Sequence, residues 1–278
     1  TPGEVFYISD SDTGEIWTIT PLPVREKTPY VIRHGFGYTV FEHASHGIEQ
    51  SMTVFVPRRD PVKVTLVKLT NHTREERNLT LTYYIRPVLG VSDQFTARYL
   101  VTSTTGDNAL MVENKYNDEF KGTVAFVDMT GNSKTITGNR KDFLGTGDLK
   151  SPEGLKRQKL SGTVGAGMDP CAAVQTNIKL APSETCEVVL LLGMEYGRQE
   201  ADELRKKYRD INTVKNSLEE VAGFWNRLLD TIRIKTPDNS MNLILNGWLL
   251  CQVIVCRLWA RSAFYQSAGA FGYRDQLQ

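Results

Sequence analysis

An antiparallel β-sandwich over residues 1–195, followed by helices up to residue 278, is the fold this sequence predicts. Three observations carry it. Short apolar runs recur between turn residues as far as about residue 195, and several alternate apolar and polar side chains with period two, the pattern of a sheet buried on one face. No helical run of useful length interrupts them, which leaves no place for the crossover helices of a parallel sheet. After Gly193 the apolar period becomes that of an amphipathic helix.

Strands are expected at residues 5–8, 37–41, 52–56, 62–69, 79–85, 123–127 and 186–192. In the fourth run Val62, Val64 and Leu66 share one side, with Lys63 and Thr65 on the other. The polar stretch 70–78 predicts a solvent-facing hairpin loop joining the fourth and fifth strands. Gly35 and Gly37, at a strand start, are explained by turn geometry.

Residues 198–208 are charged and rich in helix formers. Residues 214–232 place Val214, Leu218, Val221, Ala222, Trp225, Leu228, Leu229 and Ile232 at spacings of three and four, with Ser217 and Glu220 offering a capping-box start. A break at 236–240 precedes a second helix over 241–264 that is apolar nearly all round. Asn246, Gln252 and Arg257 fall inside the length a bilayer span would need, so a buried core helix is expected instead. At about 100° per residue Asn242, Asn246, Arg257 and Arg261 fall in one quadrant. A buried polar stripe must hydrogen-bond to something, and the two arginines are expected to pair with carboxylates or helix ends.

Composition excludes several classes. Hydrophobic residues make up 40% and charged residues 23%, ordinary for a soluble globular protein. A net charge of +1 gives no electrostatic reason to expect nucleic acid or an anionic membrane. The four cysteines form no CxxC pair, and Cys251 and Cys256 point about 140° apart on a helix, so reduced thiols of a cytoplasmic protein are expected. His34, His43 and His46 crowd one region without zinc-ligand spacing and read as hydrogen-bonded strand or loop histidines; no metal is expected. Neither a glycine-rich phosphate loop nor a Ser-His-Asp order is present. The sequons at Asn71 and Asn78 read as chance. Tyr30, Phe36, Tyr38 and Phe41 are assigned mainly to core packing, with sugar stacking as the alternative.

The stretch Gly272-Tyr273-Arg274-Asp275-Gln276-Leu277-Gln278 follows the apolar helix directly. Such dense hydrogen-bonding chemistry suits a sugar or anion site. Arg274 can donate a forked pair of hydrogen bonds. A carboxylate beside an arginine stays ionised, which makes Asp275 an acceptor for sugar hydroxyls rather than a general acid. Because domains rarely stop at the opening of an element, the sequence is expected to be the front part of a longer protein.

Residues 265–278, preceded by Asn246-Gly247-Trp248-Leu249-Leu250 and Arg257-Leu258-Trp259-Ala260-Arg261, resemble the glycoside phosphorylases of the cellobiose phosphorylase type, glycoside hydrolase family 94. The likeness points to the branch of 1,2-β-oligoglucan phosphorylase and the C-terminal region of cyclic β-1,2-glucan synthase. Residues 17–23, 38–43 and 46–48 resemble that branch's sandwich domain. The resemblance implies a mainly β fold: an N-terminal antiparallel β-supersandwich (1–195), a helical linker (196–236) and the first helix of an (α/α)6 catalytic barrel (237–278). It implies phosphorolysis of a β-glucoside, expected to be a β-1,2-glucooligosaccharide, by inorganic phosphate with inversion, giving α-glucose 1-phosphate, without a cofactor; the alternatives are the phosphorylase-like region of a cyclic β-1,2-glucan synthase and a non-catalytic carbohydrate-binding or dimerisation module. It assigns Arg274 to the sugar of the donor subsite, with Asp275 and Gln276 beside it as substrate-binding residues, and no catalytic residue within this sequence. The expected partners are a β-glucan oligosaccharide and phosphate, with a homodimer or association with the remaining C-terminal part. Later barrel helices are expected to cover the helix over 241–264.

Overall fold

A computed structural model describes residues 3–131 and 133–256. Among them thirteen strands form two antiparallel sheets. In chain order they are β1 Glu4–Asp10, β2 Ile16–Thr18, β3 Tyr30–His34, β4 Tyr38–Ser45, β5 Ile48–Phe55, β6 Val62–Asn71 and β7 Arg77–Ile85, then β8 Leu100–Thr104, β9 Leu110–Asn114, β10 Thr123–Met129, β11 Thr135–Asn139, β12 Pro170–Leu180 and β13 Thr185–Tyr196. The smaller sheet runs β11-β12-β7-β1-β2 and the larger β3-β4-β5-β6-β13-β10-β9-β8. Phe6, Ile8, Leu81, Tyr83 and Val174 of the first pack with Met52, Val67, Leu69, Val112, Val127 and Leu190 of the second in one apolar core. Burial of such side chains, each worth about 1.5–3 kcal/mol, holds the sheets together.

Two expectations about β6 are corrected. Its partner is not β7. The strands lie in different sheets, β6 beside β5 and β13 and β7 beside β1 and β12. The stretch 70–78 is therefore a corner between sheets rather than a hairpin loop. Asn71 is wholly buried there, and its Nδ2 donates to the carbonyls of Glu75, Leu180 and Ala181 at 2.8, 3.1 and 3.1 Å. Its Oδ1 accepts from the Thr73 N–H at 2.9 Å. The face of β6 that meets the other sheet is also the opposite one: Val67 and Leu69 join the shared core, while Val62 and Val64 are buried on the reverse side.

The smaller sheet has a second covered face. Val5, Tyr7, Tyr84 and Ala173 pack beneath Phe143, Leu144, Leu149 and Leu155, which the excursion between β11 and β12 supplies. Tyr84 and Phe143 stack at 4.9 Å, and the Tyr7 hydroxyl donates to the Leu149 carbonyl at 2.7 Å. Covering on both sides explains why β12 shows no period-two alternation.

The helices are α1 Asp93–Thr96, α2 Arg140–Leu144, α3 Arg198–Lys207 and α4 Ile211–Leu229. The helix expected from Val214 begins at Ile211, and the capping box offered at Ser217 lies inside it. Asp210 caps the helix about two turns before Ser217, its Oδ2 accepting from the Thr213 N–H at 2.9 Å. The chain divides into two compact units, residues 1–219 and 220–278. In the second, the segments Asn239–Leu243, Ile244–Trp248 (a π-helical turn) and Leu249–Ile254 follow one another without a break. Leu243, Trp248 and Val253 are more than half exposed, at 73%, 53% and 58%, as expected of this helix without the later barrel helices. Among the described residues no helix is long and apolar enough to cross a membrane.

Candidate functional site

Arg274, Asp275 and Gln276 lie outside the described residues, as do Arg257 and Arg261. The approach to them is described. Asn246 Oδ1 accepts from the Ile234 N–H at 2.7 Å while its Nδ2 donates to the Ile234 carbonyl at 2.8 Å. Asn242 treats Thr236 in the same way, at 2.7 and 3.0 Å. Four helical residues rise about 6.0 Å and two extended residues about 6.6 Å, so amides one turn apart match backbone groups two residues apart. Half of the polar stripe thus clamps the incoming segment along the helix, and Asp238 caps its start through the Ser240 N–H at 2.8 Å.

A saccharide-sized recess lies elsewhere, in the sandwich. A cavity of about 600 Å3 opens between the turn around α1 and the loop after β9, lined by Phe95, Arg98, Tyr99, Asn114, Tyr116 and Asn117 among others. The Tyr99 and Tyr116 rings stack at 4.2 Å with 8° between their planes. Phe95 and Tyr116 are 69% and 71% exposed, against the usual tendency of large aromatics to be buried. Buried Asn114 builds this arrangement. Its Nδ2 donates to the Leu89 carbonyl at 2.9 Å, and its Oδ1 accepts from the N–H groups of Tyr116 and Asn117, both at 3.2 Å. That local turn folds the loop back and sets Tyr116 beside Tyr99. Arg98 lies 5.8 Å from the Tyr99 ring centre. Flat apolar ring faces beside a guanidinium and amides can take the C–H face of a sugar and its hydroxyls together. Sequence reading passed over these residues, because exposure of an aromatic is a tertiary property.

The aromatics and histidines it did single out behave differently. Tyr30 stacks on His43 at 3.7 Å. A Cβ on Gly35 would sit 2.3 Å from the Tyr38 ring, so close approach requires this glycine, while turn geometry requires Gly37, whose φ is +84°. His43 and His46 are hydrogen-bonded as expected and share one carboxylate: Glu26 meets the Nε2 atoms of both, at 2.8 and 2.6 Å. Burial opposes ionisation of Glu26, but hydrogen bonds from Ser45, His43 and His46 prevail and hold its carboxyl below the usual range. His46 also meets Glu15 at 2.7 Å and stacks on Trp17 at 4.5 Å. This cluster ties the segment after β2 to the β4–β5 turn. Among the described residues no group of side chains has the makings of a metal site.

Comparison with known proteins fits a carbohydrate-active fold. The glycosyl hydrolase 94 supersandwich domain matches residues 1–211, and the catalytic domain of the glycosyl hydrolase 94 superfamily matches residues 224–278. The chain belongs to glycosyl hydrolase family 94. Over its full length it is 30% identical to the cyclic β-(1,2)-glucan synthase NdvB of Rhizobium meliloti, of which it covers 10%. It is 30% identical to solabiose phosphorylase of Paenibacillus borealis over 98% of its length, and 24% identical to N,N'-diacetylchitobiose phosphorylase of Vibrio furnissii over all of it, covering 36% of each. The chain therefore spans between a tenth and about a third of the length of these relatives. In fold it is similar to a bacterial glucoamylase solved with acarbose, with a TM-score of 0.52 and 11% identity over 80% of this chain and 31% of that one.

Proposed function

We propose that the chain is the N-terminal part of an inverting β-glucan phosphorylase that cleaves β-1,2-linked glucooligosaccharides with inorganic phosphate. The observation that carries this reading is the succession of a supersandwich match over 1–211 and a catalytic-domain match over 224–278, in a family whose relatives include several phosphorylases. The β-1,2 linkage is supported by 30% identity to the cyclic glucan synthase across the whole chain. In this reading residues 1–195 are the sandwich, 196–236 the linker and 237–278 the opening of the (α/α)6 barrel.

The chemistry needs one protein carboxyl group. A phosphate oxygen attacks the anomeric carbon opposite the leaving group while a carboxylic acid gives its proton to the departing glycosidic oxygen. The C–O bond to the acceptor breaks as the bond to phosphate forms, and configuration inverts to α-glucose 1-phosphate. Phosphate thereby replaces the water and the base of an inverting hydrolase. Arg274 holds the donor sugar by forked hydrogen bonds, with Asp275 and Gln276 on neighbouring hydroxyls. The general acid and the phosphate ligands are assigned outside residues 1–278, and no cofactor takes part. The tyrosine recess of the sandwich contributes a further glycan contact. Four free thiols fit a cytoplasmic location.

Phosphorolysis assays of the whole enzyme on β-1,2-linked glucooligosaccharides and on cellobiose test the linkage; glucose 1-phosphate from cellobiose alone overturns it. Arg274→Ala is expected to lower kcat/KM by at least ~10-fold, which is about 1.4 kcal/mol of transition-state binding. A second reading, the phosphorylase-like region of a cyclic β-1,2-glucan synthase, rests on the same 30% identity. The size of the whole gene product separates the two.

A further inference from the structure

The covered face of the smaller sheet is apolar at one end and polar at the other. Its apolar end is the row Val5, Tyr84 and Ala173, sealed by Phe143 and Leu149. Two rows further along, Ser9, Thr80 and Asn177 lie side by side across β1, β7 and β12, on the same face as Tyr7. Ser9 and Thr80 are only 6% and 8% exposed, whereas Asn177 is exposed. The segment 155–159 overhangs them, and a cavity of about 550 Å3 lies between.

Three features describe what this cavity takes. Thr80 donates to Asn177 Oδ1 at 3.3 Å, which leaves the Asn177 amide N–H groups without a partner among the described residues. The Ser9 hydroxyl is buried and makes no hydrogen bond, a loss that a folded protein seldom leaves uncompensated. The rim carries Lys156, Arg157, Lys159 and Lys179, of which only Lys179 is ion-paired among the described residues, to Glu76 at 2.9 Å. Among the described residues no aromatic side chain lines the cavity, so they offer no stacking surface that would favour a neutral sugar. Floor hydroxyls and an amide meet sugar oxygens, and the cationic rim meets an anion.

We infer that this cavity of the sandwich is a binding site for a phosphorylated saccharide of one or two rings. The inference goes beyond the phosphorolysis reading and does not depend on it. Calorimetric titration of the chain with glucose 1-phosphate, glucose and inorganic phosphate tests it. Saturable binding of glucose 1-phosphate is expected, at least ~10-fold tighter than either component alone. The triple variant Lys156→Ser, Arg157→Ser, Lys159→Ser changes exposed side chains only, and it should lose ~10-fold in affinity with an unchanged unfolding midpoint. Ser9→Ala should weaken binding as well, and Arg274→Ala should leave it intact. Equal affinity for inorganic phosphate, dependence on Arg274, or no saturable binding would each overturn the proposal.

Discussion

Arg205, with its side chain 1% exposed, donates at once to Asp107, Asp128 and Asp202, at 2.8, 2.6 and 2.6 Å. Lys134 meets the other oxygen of fully buried Asp128 at 2.5 Å. The network pins α3 to β10 and to the turn between β8 and β9. Removing one member of a buried charge set leaves the others uncompensated, so Arg205→Ala should cost about 3 kcal/mol in chemical denaturation. Burial works against the charge of Asp107, but hydrogen bonds from Arg205 and Thr105 prevail and hold its carboxyl far below the carboxylate range. A folded value below the unfolded one, about 3.9, means that the contribution is complete above that pH and fades as pH falls through the folded value. Urea unfolding between roughly pH 5 and pH 2 should show a steeper acid loss in the parent than in Asp107→Asn. None of these partners was legible in the sequence, because Asp107, Asp128 and Arg205 meet only through tertiary packing.

The strands were legible where an apolar run stands between turn residues, whether one face is buried, as in β5, or both, as in β1 and β7. β1, β5, β7, β10 and β13 all overlap expected runs. β12 was not, because its small and polar residues, although buried on both faces, form neither an apolar run nor an alternation. β3 was missed for the opposite reason, being an edge strand with most residues exposed. The corner after β6 shows a further limit. A nine-residue polar spacer between two alternating runs fits a hairpin and a change of sheet equally well, and only the buried Asn71 amide distinguishes them. Asn71→Asp would set a carboxylate against the carbonyls of Glu75, Leu180 and Ala181, and should destabilise the sandwich by about 3 kcal/mol in the same unfolding assay. The same three bonds make the Asn71 sequon unavailable for glycosylation in the folded chain, whereas Asn78 is exposed.

For the molecule as a whole, the change from β to helical periodicity near residue 195 and the motif at 272–278 carried the family. They did not disclose the tyrosine recess, whose aromatics are exposed only in the folded chain, or the cavity over Ser9, Thr80 and Asn177, whose residues come from strands and loops far apart in sequence. The apolar helix after Asp238 leaves Leu243, Ile244, Trp248, Leu249 and Val253 exposed. Contiguous exposure of that kind drives association, so residues 1–278 expressed alone should self-associate, or bind the remainder of the enzyme added in trans. Light scattering checks this, and a monodisperse monomer would count against it. The most direct measurement of the central claim is the reaction of the whole enzyme with β-1,2-linked glucooligosaccharide, followed by NMR with and without inorganic phosphate. Phosphate-dependent formation of α-glucose 1-phosphate is the predicted result; free glucose released without phosphate, or the β-anomer of the sugar phosphate, would contradict it.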